Sequence, residues 1–284
     1  MAIENKRLLR ASISMVGLVI LTALFAGCTG NNNAGPSGTI KVTGSTTVLP
    51  IAQATADAFM KNNSKADIQV NGGGSGVGVT AAGDGTVDIG MSSRDLTAAE
   101  VTEYPTLKKT TVATDCLVMI VHSSNTVSAL TILQIKGIYN GTYKNWKDLG
   151  GPDLTITLVG RDSASGTRSY FTDAVMSKQN TTAGMLELNS NGAVQSTVST
   201  TPGAIGYVGL GYAGAPSKAL KIIVGTDQIE ANSANALNGK YPLSRPLFML
   251  TLGEPKGLAK SYITYILSVK GQDIVEKEGF VKLK

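Results

Sequence analysis

One segment of the chain combines an arginine, several hydroxyls and a glycine where a predicted strand turns into a predicted helix. The β-branched run 155–159 ends at Gly160, and the letters RDSASGT follow at residues 161–167. A helix start presents free backbone N–H groups and the positive end of the helix dipole, both of which attract anions. Gly166 lets the backbone approach a ligand closely, and the guanidinium of Arg161 matches a tetrahedral oxyanion. The segment predicts a phosphate-type site.

Three more loops of small polar residues follow predicted strands nearer the N-terminus. They read GSTT at residues 44–47, GGGSGVG at 72–78 and SSRD at 92–95. Each loop alone has an ordinary explanation as a helix N-cap, a flexible turn or a local Arg–Asp pair. In open α/β sheets, however, ligands bind beyond the carboxyl ends of strands. Four such ends with similar chemistry therefore predict one shared site.

The same residues argue against other classes of site. Residues 72–78 match neither the P-loop pattern nor G-x-G-x-x-G, so nucleotide binding is not predicted. His122 is the single histidine and has no cluster of cysteines or carboxylates near it in the sequence. A Ser-His-Asp triad would need this histidine, and no Gly-x-Ser-x-Gly elbow is present. We therefore predict no catalytic residue, no metal ligand and no cofactor.

The elements that must position these loops alternate between strand and helix. Apolar runs predict strands at 39–42, 67–70 and 87–91, with helices following the first two. Thr97 and Glu100 have the spacing of a capping box for a short helix. Buried strands are also predicted at 117–121 and 204–208. The pattern predicts an α/β protein.

A chain of 284 residues commonly folds as one large domain or two smaller ones. We predict two domains, with crossings near Ala113 and Gly209. Domain I comprises residues 39–115 and 211–284, and domain II comprises residues 116–210. Cys116 lies in the apolar run TVATDCLVMIVH and is interpreted as core packing.

The N-terminus has the composition of an export signal. A basic start is followed by an apolar stretch, residues 11–27, that is short for a membrane span. The letters LFAGC resemble a bacterial lipobox, so we expect residues 1–27 to be a signal peptide and Cys28 to be lipidated. An uncleaved membrane anchor is the alternative. Residues 28–38, which include NNNAGPS, read as a flexible tether, and the rest of the chain is expected to be extracytoplasmic.

Charge and composition give little support to nucleic-acid binding. Removing residues 1–27 takes away Lys6, Arg7, Arg10 and Glu4, so the formal charge falls from +5 to +3. Aromatic residues make up only 5% of the chain, whereas single-stranded nucleic acids need aromatic stacking platforms. We therefore expect no nucleic-acid partner.

Five segments together resemble the phosphate-binding proteins of ABC-type phosphate importers, within the type II periplasmic-binding-protein fold. The resemblance runs from about Thr39 to the C-terminus. It rests on GSTTVLP, GGGSGVGVTAAGDGTVDIGMSSRDL, LTILQIKGIYNGTYKNW, GRDSASGTRSYF and PGAIGYVGLGY. It implies two α/β domains with mixed sheets flanked by helices, two crossover strands as a hinge, and closure on a dehydrated oxyanion. It also implies inorganic phosphate and ABC permease subunits as partners. With the lipobox, we expect a monomer anchored to the outer face of the cell membrane through the lipidated Cys28.

The family's binding loops map onto eight positions of this sequence. The implied ligand residues are Thr46, Thr47, Ser75, Ser93, Arg161, Ser165, Gly166 and Thr167. Ser93 departs from the family pattern, because many members carry an aspartate there that accepts the proton of hydrogen phosphate. Asp95 and Asp162 are the candidate replacements. Discrimination of phosphate from sulfate or arsenate therefore stays open.

Two alternative functions accompany this interpretation. The same fold binding sulfate, molybdate or a phosphonate is motivated by Ser93. A secreted phosphohydrolase using a serine or threonine of these loops is less favoured, because no general base accompanies a candidate nucleophile.

Overall fold

A computed structural model of the chain describes residues 35–283. The predicted signal peptide, Cys28 and residues 28–34 of the predicted tether lie outside the described residues. Within residues 35–283, every helix is too short or too polar to cross a membrane.

The described chain contains a nine-stranded and a three-stranded sheet. The strands are β1 (Gly38–Gly44), β2 (Ala66–Asn71), β3 (Ile89–Ser92), β4 (Leu107–Val121), β5 (Ala129–Thr131), β6 (Thr157–Arg161), β7 (Leu186–Leu188), β8 (Ala204–Gly209), β9 (Lys218–Ala219), β10 (Lys221–Val224), β11 (Asp227–Ile229) and β12 (Ser244–Leu252). The large sheet has the order β2-β1-β3-β12-β4-β8-β6-β7, with β9 paired to β4, and the small sheet has the order β11-β10-β5. Parallel and antiparallel pairs occur in both sheets, so the predicted mixed sheets are confirmed.

Helices alternate with these strands, as the α/β prediction requires. They are α1 (Leu49–Asn62), α2 (Ser75–Gly83), α3 (Ala98–Glu103), α4 (Ile132–Tyr139), α5 (Gly166–Ala174), α6 (Asn191–Thr200), α7 (Ser233–Leu237), α8 (Gly257–Leu267) and α9 (Val269–Lys277), with 3-10 turns at Trp146–Leu149 and Leu210–Tyr212. The capping box of Thr97 and Glu100 is present at the start of α3. Local spacing therefore predicted this helix start correctly.

Buried apolar side chains form two main clusters. One contains side chains between Ile40 and Ala113 and between Leu247 and Phe280. The other contains side chains between Cys116 and Leu243. We call residues 38–115 with 244–283 the first lobe, and residues 116–243 the second lobe. Cys116 is a buried free cysteine within the second cluster, as interpreted from its sequence.

Two long antiparallel strands, β4 and β12, carry the chain between the clusters. The predicted crossing near Ala113 lies on β4, but the return is on β12 and not near Gly209. Residues 211–243, predicted to belong to domain I, instead include side chains such as Leu220 and Tyr241 that pack in the second cluster. The reason is that β10 pairs with β5, which holds this segment in the second lobe.

The sheet register brings the predicted loops to one edge. Strands β2 and β3 both run parallel to β1, so the three strands end on the same side. Gly44 is paired with Met91, one residue before the end of β3. In the second lobe, β6 runs parallel to β7 and β8 and ends at Arg161. The loops after β1, β2, β3 and β6 are those predicted to bind the ligand.

Candidate anion-binding site

Hydroxyl groups from loops of both lobes meet directly. The Oγ1 atoms of Thr47 and Thr167 lie 2.9 Å apart. The Oγ atoms of Ser75 and Ser93 lie 3.3 Å apart, and the backbone N–H of Ser93 donates to Ser75 Oγ at 3.0 Å. The structure therefore joins the first loop to the fourth and the glycine-rich loop to the third.

Gly166 of the fourth loop packs directly against the pair formed by Ser75 and Ser93. A Cβ atom at this position would collide with Ser75 Oγ and would lie 2.8 Å from Ser93 Oγ. Beside it, the N–H of Gly76 donates to the carbonyl of Ala164 at 3.0 Å. The absence of a side chain at residue 166 is what allows the loops of the two lobes to touch.

All eight predicted site residues are buried. Thr46 is 6% exposed and Ser75 is fully covered. Burying a hydroxyl costs free energy unless it forms hydrogen bonds, so a buried group of hydroxyls needs partners. Helices α2 and α5 begin at Ser75 and Gly166, which directs the positive ends of two helix dipoles into the group. The local field therefore favours a negatively charged partner.

Arg161 brings a buried cation to the end of β6. Its side chain is 1% exposed, its Nε donates to the Leu188 carbonyl at 3.1 Å, and its Nη2 donates to the Asn189 carbonyl at 3.1 Å. Burial lowers its pKa below the ordinary value, while the nearby charge of Asp162 opposes this shift. A guanidinium stays protonated at neutral pH, so the positive charge is retained. The two backbone bonds fix the orientation of the fork.

Asn191 was not identified from the sequence. Its Nδ2 donates to the Oγ1 atoms of both Thr46 and Thr47 at 3.0 Å, and its Oδ1 accepts from the N–H of Gly209 at 3.2 Å. Nothing in the sequence distinguished it from an ordinary first residue of α6. Its amide nitrogen finds these two acceptors only where the two lobes meet.

A buried ion pair between Arg245 and Asp115 was also missed. Arg245 Nη2 lies 2.7 Å from Asp115 Oδ2 and donates to Thr167 Oγ1 at 3.1 Å. Asp115 Oδ1 accepts from the N–H of Leu210 at 2.8 Å. Burial raises the pKa of the Asp115 carboxyl, and the charge of Arg245 opposes that shift. The sequence signal that could have indicated this pair is the charged Asp115 inside the apolar strand pattern TVATDCLVMIVH.

Asp95 and Asp162 are the two carboxylates that could accept the anion's proton in place of an aspartate at position 93, and their surroundings differ. Asp95 forms an exposed salt bridge with Lys109. Asp162 has one carboxylate oxygen buried without a hydrogen-bond partner among residues 35–283. Arg94, next to Ser93, is paired with Glu100 at 2.7 Å.

The described part of the chain contains no group of three or more His, Cys, Asp or Glu side chains that could hold a metal ion. His122 Nδ1 lies 2.7 Å from the hydroxyl of Ser124, just after the end of β4. The histidine is therefore engaged in a local turn.

Sequence comparison identifies relatives along almost the whole chain. The profile of the PBP superfamily domain matches residues 29–270. The phosphate-binding protein PstS of Bacillus subtilis is 34% identical over 246 residues, which cover 86% of this chain and 81% of that protein. PstS of Borreliella burgdorferi is 32% identical over 277 residues, which cover 94% of this chain and 96% of that protein.

Solved structures agree with these relatives. A phosphate ABC transporter substrate-binding protein from Clostridium perfringens with bound phosphate is 37% identical. It superposes with a TM-score of 0.82 over 87% of this chain and 100% of that one. An ABC-type phosphate transport receptor from Vibrio cholerae is 30% identical, with a TM-score of 0.70 over 86% of this chain and 100% of that one. The predicted type II periplasmic-binding-protein fold is thereby confirmed. The chain belongs to the PBP superfamily and, within it, to the PstS family of phosphate-binding proteins.

Proposed function

We propose that this protein captures inorganic phosphate between its two lobes and delivers it to an ABC permease. The observation that carries the proposal is the meeting of the four predicted loops in one buried, hydroxyl-rich group. Relatives named as phosphate-binding proteins, one of them with phosphate bound, support the same ligand.

The eight predicted residues have the chemistry to replace water around a phosphate. Hydroxyls and helix-start N–H groups donate to the anion's oxygens, and Arg161 neutralises charge. We propose that the two lobes act as two domains that close on the anion and exclude solvent. The crossover strands β4 and β12 are then the hinge. Binding and release of phosphate need no covalent step. The role that we propose is therefore that of a transport receptor and not of an enzyme.

The proposed location follows from the N-terminal sequence. Residues 1–27 act as a lipoprotein signal peptide, Cys28 carries the lipid, and residues 28–38 tether a monomeric receptor to the outer face of the membrane. In cells supplied with a radiolabelled fatty acid, the native protein should carry the label and Cys28→Ser should not. Absence of label from the native protein would contradict lipid anchoring.

The ligand is tested by calorimetry with inorganic phosphate at neutral pH. We expect tight binding by the native protein and severe weakening in Arg161→Ala. Lys147→Ala is the matched control, because it also removes a cation from the second lobe, and Lys147 pairs with Asp153 at 3.3 Å on the exposed surface. Absence of any phosphate heat in the native protein would refute the proposal.

A second candidate keeps the fold and changes the oxyanion. Ser93 presents a buried hydroxyl, 1% exposed, where a carboxylate would repel fully ionised anions. A competition series of sulfate, molybdate, a phosphonate and arsenate against phosphate decides between them. Tighter binding of sulfate than of phosphate would favour this second candidate.

A further inference from the structure

Asn191 joins the two lobes at the hydroxyl group without being one of the predicted ligand residues. We propose that Asn191 is a positioning residue: it donates to Thr46 Oγ1 and Thr47 Oγ1, so that the proton of Thr46 and one proton of the Thr47–Thr167 pair are left for the bound anion. The inference rests on the phosphate-binding function proposed above.

The orientation of the Asn191 amide is fixed by its other end. Its Oδ1 accepts from the backbone N–H of Gly209 at 3.2 Å, and a backbone N–H has no alternative role as an acceptor. The Nδ2 must therefore face the opposite way. It is 3.0 Å from Thr46 Oγ1 and 3.0 Å from Thr47 Oγ1, so each of its two protons has an acceptor. The side chain is fully buried, and water is excluded from these bonds.

A hydroxyl has one proton and two acceptor lone pairs. Because Thr46 Oγ1 accepts from Asn191, its own proton remains free for an acceptor elsewhere. Thr47 Oγ1 also accepts from Asn191 and is 2.9 Å from Thr167 Oγ1, to which it can donate.

Thr167 Oγ1 in turn accepts from Arg245 Nη2 at 3.1 Å. Whichever of Thr47 and Thr167 donates across their 2.9 Å contact, one hydroxyl proton of the pair is left over, because Asn191 and Arg245 already donate to the two oxygens. A negatively charged guest is the acceptor that this proton and the proton of Thr46 lack among the described residues.

The same bonds hold the lobes together. Asn191 belongs to the second lobe, whereas Thr46 and Thr47 belong to the first. The two amide bonds therefore form only when the lobes are as close as in this structure. Losing them weakens the closed form as well as the orientation of the donors.

Asn191→Ala is the first test, with the dissociation constant for inorganic phosphate measured by calorimetry. We expect affinity to fall by about tenfold to a hundredfold, the usual effect of leaving buried polar groups unpaired. Ser190→Ala is the matched control, because Ser190 Oγ caps the same helix by accepting from the Ala193 N–H at 3.1 Å and does not touch the threonines. It should lower thermal stability and leave affinity within about threefold. Unchanged affinity in Asn191→Ala, or an equal loss in Ser190→Ala, overturns the inference.

A double-mutant cycle tests whether Asn191 acts through the threonine. In a Thr46→Val background, Asn191→Ala should weaken phosphate binding less than it does in the native protein. Equal weakening in the two backgrounds would show a merely structural role.

Asn191→Asp is a second variant in case Asn191→Ala fails to fold. The aspartate side chain has the size of asparagine and can still accept from the Gly209 N–H, but a carboxylate oxygen replaces the donating nitrogen opposite Thr46 and Thr47. It should bind phosphate more weakly than Asn191→Ala, with a native circular-dichroism spectrum. Tighter binding by Asn191→Asp than by Asn191→Ala would contradict the inference. If the native protein binds no phosphate, the proposed function fails first; if only the variants are unaffected, this inference alone fails.

Discussion

Arg245 and Asp115 face each other on the two crossover strands, with Arg245 Nη2 2.7 Å from Asp115 Oδ2. The side chains are 1% and 0% exposed, so the pair is shielded from water. The same guanidinium donates to Thr167 Oγ1 at 3.1 Å. The strands that connect the lobes therefore carry an ion pair that reaches the candidate binding site.

Asp115→Ala should be strongly destabilising, because it leaves a buried guanidinium without its counter-charge. We expect a loss of about 3–5 kcal/mol in the free energy of unfolding, measured by urea denaturation. Asp153→Ala is the control, since Asp153 pairs with Lys147 at 3.3 Å on the surface, where both side chains are more than half exposed. That variant should unfold at nearly the native urea concentration. Similar losses in the two variants would show that burial of the pair is not what matters.

Gly166→Ala should weaken phosphate binding by at least about tenfold. The added methyl would overlap Ser75 Oγ and crowd Ser93 Oγ, and overpacking of this kind costs about 1–3 kcal/mol. Gly184→Ala is the control, because a Cβ atom there meets nothing within 4 Å. Calorimetry on both variants checks the prediction. Native affinity in Gly166→Ala would mean that the contact between the loops is dispensable.

The pair of Glu100 and Arg94 should stabilise the protein only above acidic pH. Burial raises the pKa of the Glu100 carboxyl, but hydrogen bonds from Arg94 and Thr97 together lower it by more. The pKa therefore lies below the ordinary value of 4.5. A depressed pKa gives stability that is present above the unfolded-state value and is lost as pH falls through the folded-state value.

Glu100→Gln should therefore be less stable than the native protein at neutral pH by about 1 kcal/mol or less. The difference should shrink as the pH falls below about 4.5. Thermal melts across this range provide the measurement. Glu254→Gln, which alters an exposed pair with Lys108 at 3.7 Å, is the control and should show little difference at any pH. A constant deficit for Glu100→Gln would contradict the linkage.

The Cys116 thiol should not react with iodoacetamide in the folded protein. Burial, followed by the charge of Asp115, raises its pKa to about 12, so little thiolate exists at about pH 8. Mass mapping of the peptide that contains Cys116 separates it from Cys28. Alkylation should appear only after unfolding, and rapid labelling of the native protein would mean that the second cluster opens readily.

The residues alone determined the features that depend on neighbours in the chain. Gly166 after Ser165, and Thr97 three residues before Glu100, are local patterns that specify a helix start wherever they occur. Such patterns predicted the α/β class and the four loops. The family resemblance then supplied the individual ligand residues, whose direct contact with phosphate stays a prediction.

Tertiary structure decided which distant residues share the site and where the chain returns to the first lobe. Asp115 and Arg245 are 130 positions apart, and Asn191 is 145 positions from Thr46. No local spacing encodes such pairs, because they depend on which strands become neighbours. Because β12 lies beside β4 and β10 pairs with β5, the chain returns to the first lobe at residue 244 and not at residue 211. Both depend on long-range packing, whereas the loop chemistry is written in consecutive residues.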